Sequence, residues 1–255
     1  MAKFGARHPV FAPFASEPEA ALPTYGTGAV VGRLVAANLT VNLASGELWA
    51  DDVLAEQMSE FASGTIPMET DDIVDSVAGM IYGALVAGGE VVYNKDDTPP
   101  YGGLAYYKVL MRNGARFYKG CFYPKVRAAL GNDNAQTRGS SITFTTETTT
   151  FTIFAPNTGD WRYTETFSDE ASARAWCRSK LGMTTAYEIN VATSGAGSTN
   201  KTGYNVVETG GNFAITITGT VEKLYDNGVD ETADIVTGVY TLSNVTTDHD
   251  IAVIF

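Results

Sequence analysis

Two cysteines and two histidines are all the soft metal-ligating chemistry this 255-residue chain contains. Cys121 and Cys177 lie far apart, and two Cys with only His8 and His249 to help form no familiar zinc spacing. The expectation is a pair of reduced, packed thiols in a protein assembled in the cytosol. Charge is scarce at 18%, and the 17 Lys and Arg are outnumbered by 29 Asp and Glu, for a net charge of −12. A chain this acidic does not read DNA sequence, because neutralising phosphates takes clustered bases. No run approaches the roughly 20 apolar residues of a membrane span. The start, Met1 to Pro13, lacks the apolar stretch and cleavage site of a secretory signal.

What is present favours strands. The 44% hydrophobic and 11% aromatic content supplies a globular core, and glycine is abundant at 26 residues. Small and β-branched residues with few charges point to a mainly β fold with two short helices. At roughly 150 residues per domain, the length allows one or two domains.

Residues 1–30, rich in Pro, Ala and Gly, read as an extended arm without a core of its own, docked on a neighbour or frayed. Residues 31–43 alternate as one strand, with Val35, Ala37, Leu39, Val41 and Leu43 on a buried face. Asn38, Thr40 and Asn42 fall on the wet face. Ser45-Gly46-Glu47 then turns the chain. Residues 47–70 read as a long hairpin whose protruding loop carries Asp51, Asp52, Glu56 and Glu60. Asp71-Asp72 is expected to cap a helix with the apolar stripe Ile73, Val74, Val77, Met80 and Ile81, ended by Gly83 and Gly88-Gly89. Arg112-Asn113-Gly114-Ala115 is a type I′ turn signal between strands of 101–124, the second closed by Pro124. Ile142 and Phe144 fall on even positions and Phe151 and Ile153 on odd ones, which implies a bulge or bend between them. A helix from Ser168 to about Leu181 has a Ser cap, acids in its first turn, bases in its last and Gly182 beyond.

A boundary follows. Residues 184–255 hold nine acids and two lysines, net −7 of the chain's −12. Ser194 to Asn200 reads as a flexible loop. Strands are expected at 204–208, 213–220, 238–243 and 250–255, making a small all-β domain. The organisation is therefore an arm (1–30), a main domain (31–183) and a C-terminal domain (184–255).

No catalytic constellation is legible. The glycines of Tyr25–Gly32 are misspaced for a dinucleotide turn. Asp51-Asp52, Asp71-Asp72 and Asp96-Asp97 are sequence neighbours, which on a strand point to opposite faces, so they read as caps and turns rather than acid pairs. Asp226-Asn227-Gly228-Val229-Asp230 lacks EF-hand spacing and reads as a turn. Neither His adjoins a Ser or Cys nucleophile in sequence. Trp49, Trp161 and Trp176 read as core packing before a sugar platform. No cofactor or metal is implied, and the chain is not expected to be an enzyme.

The ordered motifs then carry a resemblance. Gly32-Arg33-Leu34-Val35, Gly46-Glu47-Leu48-Trp49-Ala50-Asp51-Asp52, Gly64-Thr65-Ile66 and Asp71-Asp72-Ile73 resemble the N-terminal half of phi13-type major tail proteins, from long-tailed phages (siphoviruses) of Gram-positive bacteria. Pro100-Tyr101-Gly102-Gly103, Arg112-Asn113-Gly114, Tyr123-Pro124-Lys125-Val126, Thr137-Arg138-Gly139-Ser140-Ser141-Ile142 and the segment from Trp161 to Trp176 are similar to later motifs of that family. The resemblance covers residues 20–182. Residues 238–255 resemble the closing strands of small β-sandwich, immunoglobulin-like modules of bacterial surface proteins, which are also found fused to tail proteins.

The resemblance implies a virion structural protein with a tail-tube β-sandwich or barrel like the type VI secretion tube. Six copies would form a ring, and rings would stack into the conduit for DNA, with no free sheet edge. It implies the tape measure, tail terminator and distal tail proteins as partners, and DNA passing without specific binding. Asn38, Thr40, Asn42, Glu56 and Glu60 are the candidate lumen-facing residues. Trp49, Asp51 and Asp52, with the arm, are candidates for ring-to-ring contact. The rival readings are a tail terminator or head decoration protein, or a surface carbohydrate-binding module.

Overall fold

Asn113 and Gly114 adopt φ of 50° and 78°, the left-handed pair that a two-residue hairpin needs. In the computed structural model, which describes residues 2–73, 75–87, 90–130, 146–184 and 186–255, this turn sits near the middle of the main sheet. The chain divides into two units, Met1–Met183 and Thr184–Phe255. Val74, Gly88-Gly89 and the stretch with Thr137 to Ile142 and Phe144 lie outside the described residues.

The first unit runs β1 (Ala2–Ser16), β2 (Thr24–Tyr25), β3 (Ala29–Val30), β4 (Leu34–Ala37), β5 (Thr40–Ala50) and β6 (Val53–Thr70). Then follow α1 (Asp75–Tyr82), a small ribbon of β7 (Leu85–Ala87) and β8 (Glu90–Val92), and the long hairpin β9 (Tyr101–Arg112) and β10 (Ala115–Ala128). β11 (Glu147–Phe154), β12 (Tyr163–Phe167) and α2 (Glu170–Lys180) complete it. The sheet order is β2-β1-β9-β10-β11-β6-β4, with β3 on β1, β12 on β10 and β5 on β6. The molecule is mainly β, with two short helices among the described residues.

The N-terminal segment corrects the sequence reading. It is no arm: β1 pairs antiparallel with β9 from Ala2↔Met111 to Pro13↔Gly102. Val10, Phe11 and Ala12 are completely buried. Gly5 and Pro9 mask the strand in sequence, because they sit where the register shifts. Gly5 and His8 have positive φ (73° and 55°), beside the shifts at Lys3/Ala6 and Arg7/Val10. Bulges of this kind let a strand carry Pro and residues of unusual backbone without losing its place in the sheet.

Sheet residues alternate between two cores. Phe11, Tyr106 and Tyr123 point to one face, with Ile66, Phe151 and the helix α1. Val10, Tyr107 and Phe122 point to the other, beneath Cys177 and Leu181 at the α2 side. A sheet buried on both faces loses its alternation, so residues 102–107 read as one apolar run. Pro124 does not end the strand. β10 continues to Ala128 through a register shift between Tyr123 and Val126, which absorbs the missing proline N–H. Trp176 lies against Gly120, where an added Cβ would stand 2.5 Å from its ring.

The helix caps also shift. Asp169, one residue after the expected Ser168, accepts from Ser172 N at 2.7 Å. α1 starts at Asp75, so Asp71-Asp72 is not its first turn. Asp71 Oδ1 instead accepts from Arg33 N and Asp72 N at 2.8 and 2.9 Å, tying the approach to β4 to the end of β6. Ile73, Val77 and Ile81 are buried as the stripe requires. In β11, Thr149, Phe151 and Ile153 are buried, on odd positions.

The second unit contains β13 (Ala186–Ser194), β14 (Ser198–Thr199), β15 (Gly203–Glu208), β16 (Phe213–Thr218), β17 (Lys223–Asp226), β18 (Val229–Asp230), β19 (Val239–Leu242) and β20 (His249–Ile254). One sheet has the order β15-β13-β20-β17-β18 and the other β14-β16-β19. They share a core that includes Ile189, Val191, Phe213, Ile215, Leu224 and Val253. The central β13, parallel to β20, is absent from the sequence reading. The Ser194–Asn200 loop is partly strand: Ser198 pairs with Thr218, and Asn200 Oδ1 accepts from Thr216 N at 2.7 Å. Asp226–Asp230 is a hairpin turn, with Asn227 and Gly228 at φ of 50° and 82°.

Candidate assembly surface

The feature most open to a partner is the β5–β6 hairpin. Asp51 and Asp52 form its turn with φ of 52° and 62°. Aspartate tolerates this region because its short carboxylate can bond locally to the backbone. Ser45-Gly46-Glu47, expected as the turn, lies inside β5. The strand expected over 31–43 is two, β4 and β5, separated at Asn38-Leu39.

The buried face expected for that strand is also corrected. Ala37 is buried and Leu39 half-buried, but Val35, Val41 and Leu43 are exposed. Every residue of β5 is exposed, as is β6 from Val53 to Glu60. The alternation of residue types is real, but among the described residues of the single chain neither face of the hairpin beyond its base is covered. Leu43 is 60% exposed, Trp49 61%, Val53 65% and Met58 63%. Trp49 is therefore not a core residue. Large apolar side chains gathered on one projection, rather than scattered singly, mark an interaction surface.

Register sorts the side chains. Leu43 pairs with Phe61, Glu47 with Gln57 and Trp49 with Leu54, so these share one face. Asn42 pairs with Ser63, Ala44 with Glu60 and Leu48 with Glu56 on the opposite face. Thr40, Asn42, Glu56 and Glu60 are thus brought together, although two register shifts intervene. Asn42 Nδ2 donates to Ser63 Oγ at 3.1 Å across that face, and Trp49 Nε1 donates to Glu47 Oε2 at 3.2 Å along the other. Asn38 lies outside β5, with its N–H donating to Pro67 O at 3.3 Å. Phe61 stacks on Trp161 at 4.3 Å with the rings 4° from parallel, fastening the base of the hairpin to the body. A shallow hollow between Leu48, Glu56 and Met58 lacks the enclosure of a small-molecule pocket.

Other polar groups are structural in their geometry. In the second unit His249 Nδ1 lies 2.7 and 2.9 Å from the two Asp226 oxygens, and Tyr240 OH donates to the same carboxylate at 3.2 Å. Thr247 Oγ1 is 3.4 Å from His249 Nε2. These contacts join β17, β19 and β20 as a brace. Cys121 and Cys177 are buried free thiols, and burial pushes the Cys177 thiol up. Among the described residues, no group of three or more His, Cys, Asp or Glu is placed to hold a metal ion, and no helix is long and apolar enough to cross a membrane.

His8 is a buried titratable group of the first unit. Burial holds its pKa well below 6.5, and the positive charges of Arg174 and Arg178 depress it further. A histidine kept neutral in the fold contributes stability that is present above its unfolded pKa and lost as pH falls toward the depressed value. Below pH 6.5 the first unit should therefore lose up to about 1.4 kcal/mol per pH unit from this residue. His8→Asn, which keeps a residue tolerant of positive φ, should flatten that dependence in urea unfolding between pH 7.5 and 5. An unchanged slope would exclude His8 as its source.

The signal missed in sequence is one of charge. Residues 98–130 contain six Lys and Arg and no acid, whereas residues 40–65 contain five acids and no base. The chain matches no protein-family model and no curated protein.

Proposed function

We propose that the chain is a non-enzymatic virion structural protein, the major tail tube subunit of a long-tailed phage. The observation that carries this reading is the β5–β6 hairpin, a two-stranded ribbon with Leu43, Trp49, Val53 and Met58 open to solvent. The ordered motifs of residues 20–182 support it. On this reading six copies form a ring and rings stack into a tube that carries DNA. The tape measure, tail terminator and distal tail proteins are the partners at the tube's inside and ends.

The hairpin face with Thr40, Asn42, Glu56 and Glu60 then lines the channel. It carries two carboxylates and no base, with Leu48, Met58 and Val53 beside them. Without bases, such a wall offers a phosphate backbone no counterion-release affinity, so DNA slides past it. The acidic second unit is an immunoglobulin-like sandwich on this reading.

Sedimentation velocity over a concentration series tests the proposal. The full chain should form species larger than six copies, and a chain ending at Met183 should do the same, with less mass per length. Persistent monomers of the full chain at every concentration would overturn the reading. Loss of assembly only in the shortened chain would make the second unit part of the tube.

A further inference from the structure

We infer that the β7–β8 ribbon of one copy is the seat for the β5–β6 hairpin tip of the next. The inference deepens the self-assembly reading and rests on it.

Exposed apolar side chains of the first unit gather at two poles. One is the hairpin tip, where Trp49 and Leu54 are exposed cross-strand partners beside the Asp51-Asp52 turn. The bond from Trp49 to Glu47 steadies the indole along that face. The other pole is the β7–β8 ribbon. Leu85 pairs with Val92, and the two are 64% and 48% exposed. The ribbon's opposite face carries Val86 and Val91 and turns toward α1, where a Cβ added at Gly79 would stand 2.5 Å from Val86. That contact fixes the ribbon to the body with Leu85 and Val92 outward. Val35 and Leu130 are exposed at the same end of the sheet, beside Thr70 and Thr150.

Topology puts the poles at opposite ends. Tyr82 OH, at the end of α1, lies 2.6 Å from Thr149 Oγ1, and Thr149 pairs with Met68. A Cβ added at Gly83 would stand 2.8 Å from Thr98 O, just ahead of β9. The ribbon therefore starts at the Met68 level of the sheet. The hairpin turn lies beyond Val53, and from Val53 to Met68 β6 covers roughly 50 Å at strand spacing. One chain cannot bring its own poles together, so each is left for another copy. Two tips set against each other would crowd carboxylates, because residues 40–65 hold five acids and no base. Residues 83–95 hold only Glu90 and Lys95, so the ribbon receives the acidic tip without that repulsion. An exposed tryptophan is the side chain best suited to anchor such a contact. The Trp49–Leu54 face is opposite to that of Glu56 and Glu60, so the seat leaves the proposed channel wall clear. A contact between unlike surfaces at opposite ends repeats along the strand direction and builds a stack rather than a closed dimer.

Paired cysteines test this in the assembled full chain. A chain with both Leu54→Cys and Leu85→Cys, treated with a short bismaleimide, should give a ladder of covalent dimers, trimers and longer species on a denaturing gel. Cys121 and Cys177 are buried, so the wild type should give none. Each single variant should also give none, and the two singles assembled together should stop at dimers. Dimers from either single variant alone would mean that like surfaces meet, and would overturn the seat. An assembled double variant without a ladder would overturn it as well, leaving the tube reading in place. Separately, Leu85→Glu with Val92→Glu should raise the concentration needed for assembly by about 100-fold, with an unchanged circular dichroism spectrum. Assembly of that variant at wild-type concentrations would remove the ribbon as the seat. A wild-type chain that stays monomeric overturns both readings.

Discussion

A chain carrying Leu43→Asp and Trp49→Asp is expected to stay folded and to remain monomeric where the wild type assembles. Both side chains lie on one face of the β5–β6 hairpin and are more than half exposed. Exposed substitutions away from packed features change stability by about 0.5 kcal/mol or less, so the melting temperature should hardly move. In an assembly, burying each side chain contributes about 1.5–3 kcal/mol. Losing both, and burying carboxylates instead, raises the concentration needed for assembly by about 100-fold or more. Sedimentation velocity on the two proteins checks this. Assembly of the double variant at wild-type concentrations would remove the hairpin from the interface.

The second large effect concerns the N-terminus. Removing residues 2–16 should abolish the cooperative melting of the first unit. The deletion strips β9 of its neighbour and opens both cores, since Phe11 belongs to one and Val10 and Ala12 to the other. Phe11→Ala alone, where the ring sits 5.8 Å from that of Phe151, should cost about 3–5 kcal/mol. A loss of that size is a large part of a typical domain's 5–15 kcal/mol. Calorimetry distinguishes this from an arm that merely docks or frays, for which truncation would leave the melting temperature in place.

Local chemistry made part of this fold legible. Asn113-Gly114 names its own turn, and Glu170 with Arg178 and Lys180 brackets a helix whose cap is one residue from the expected position. The alternation of Leu43, Asn42 and their neighbours correctly implied a strand. It misled about burial because a period of two reports two faces, not which face has a partner in the same chain. β1 was hidden for the opposite reason. Buried on both faces and broken by bulges at Gly5 and His8, it shows neither alternation nor a long apolar run. β13 lies inside a polar-looking stretch, and its parallel pairing with β20 depends on residues about 60 positions away, beyond the reach of local patterns. The candidate lumen residues were legible in type, but their common face emerges only from the register with its two shifts.

Negative-stain electron microscopy of the purified 255-residue chain is the decisive test of the tube reading. Stacked rings around an open channel are expected, with six subunits in each end-on view. Discrete capped particles, or monomers under every condition tried, would contradict it.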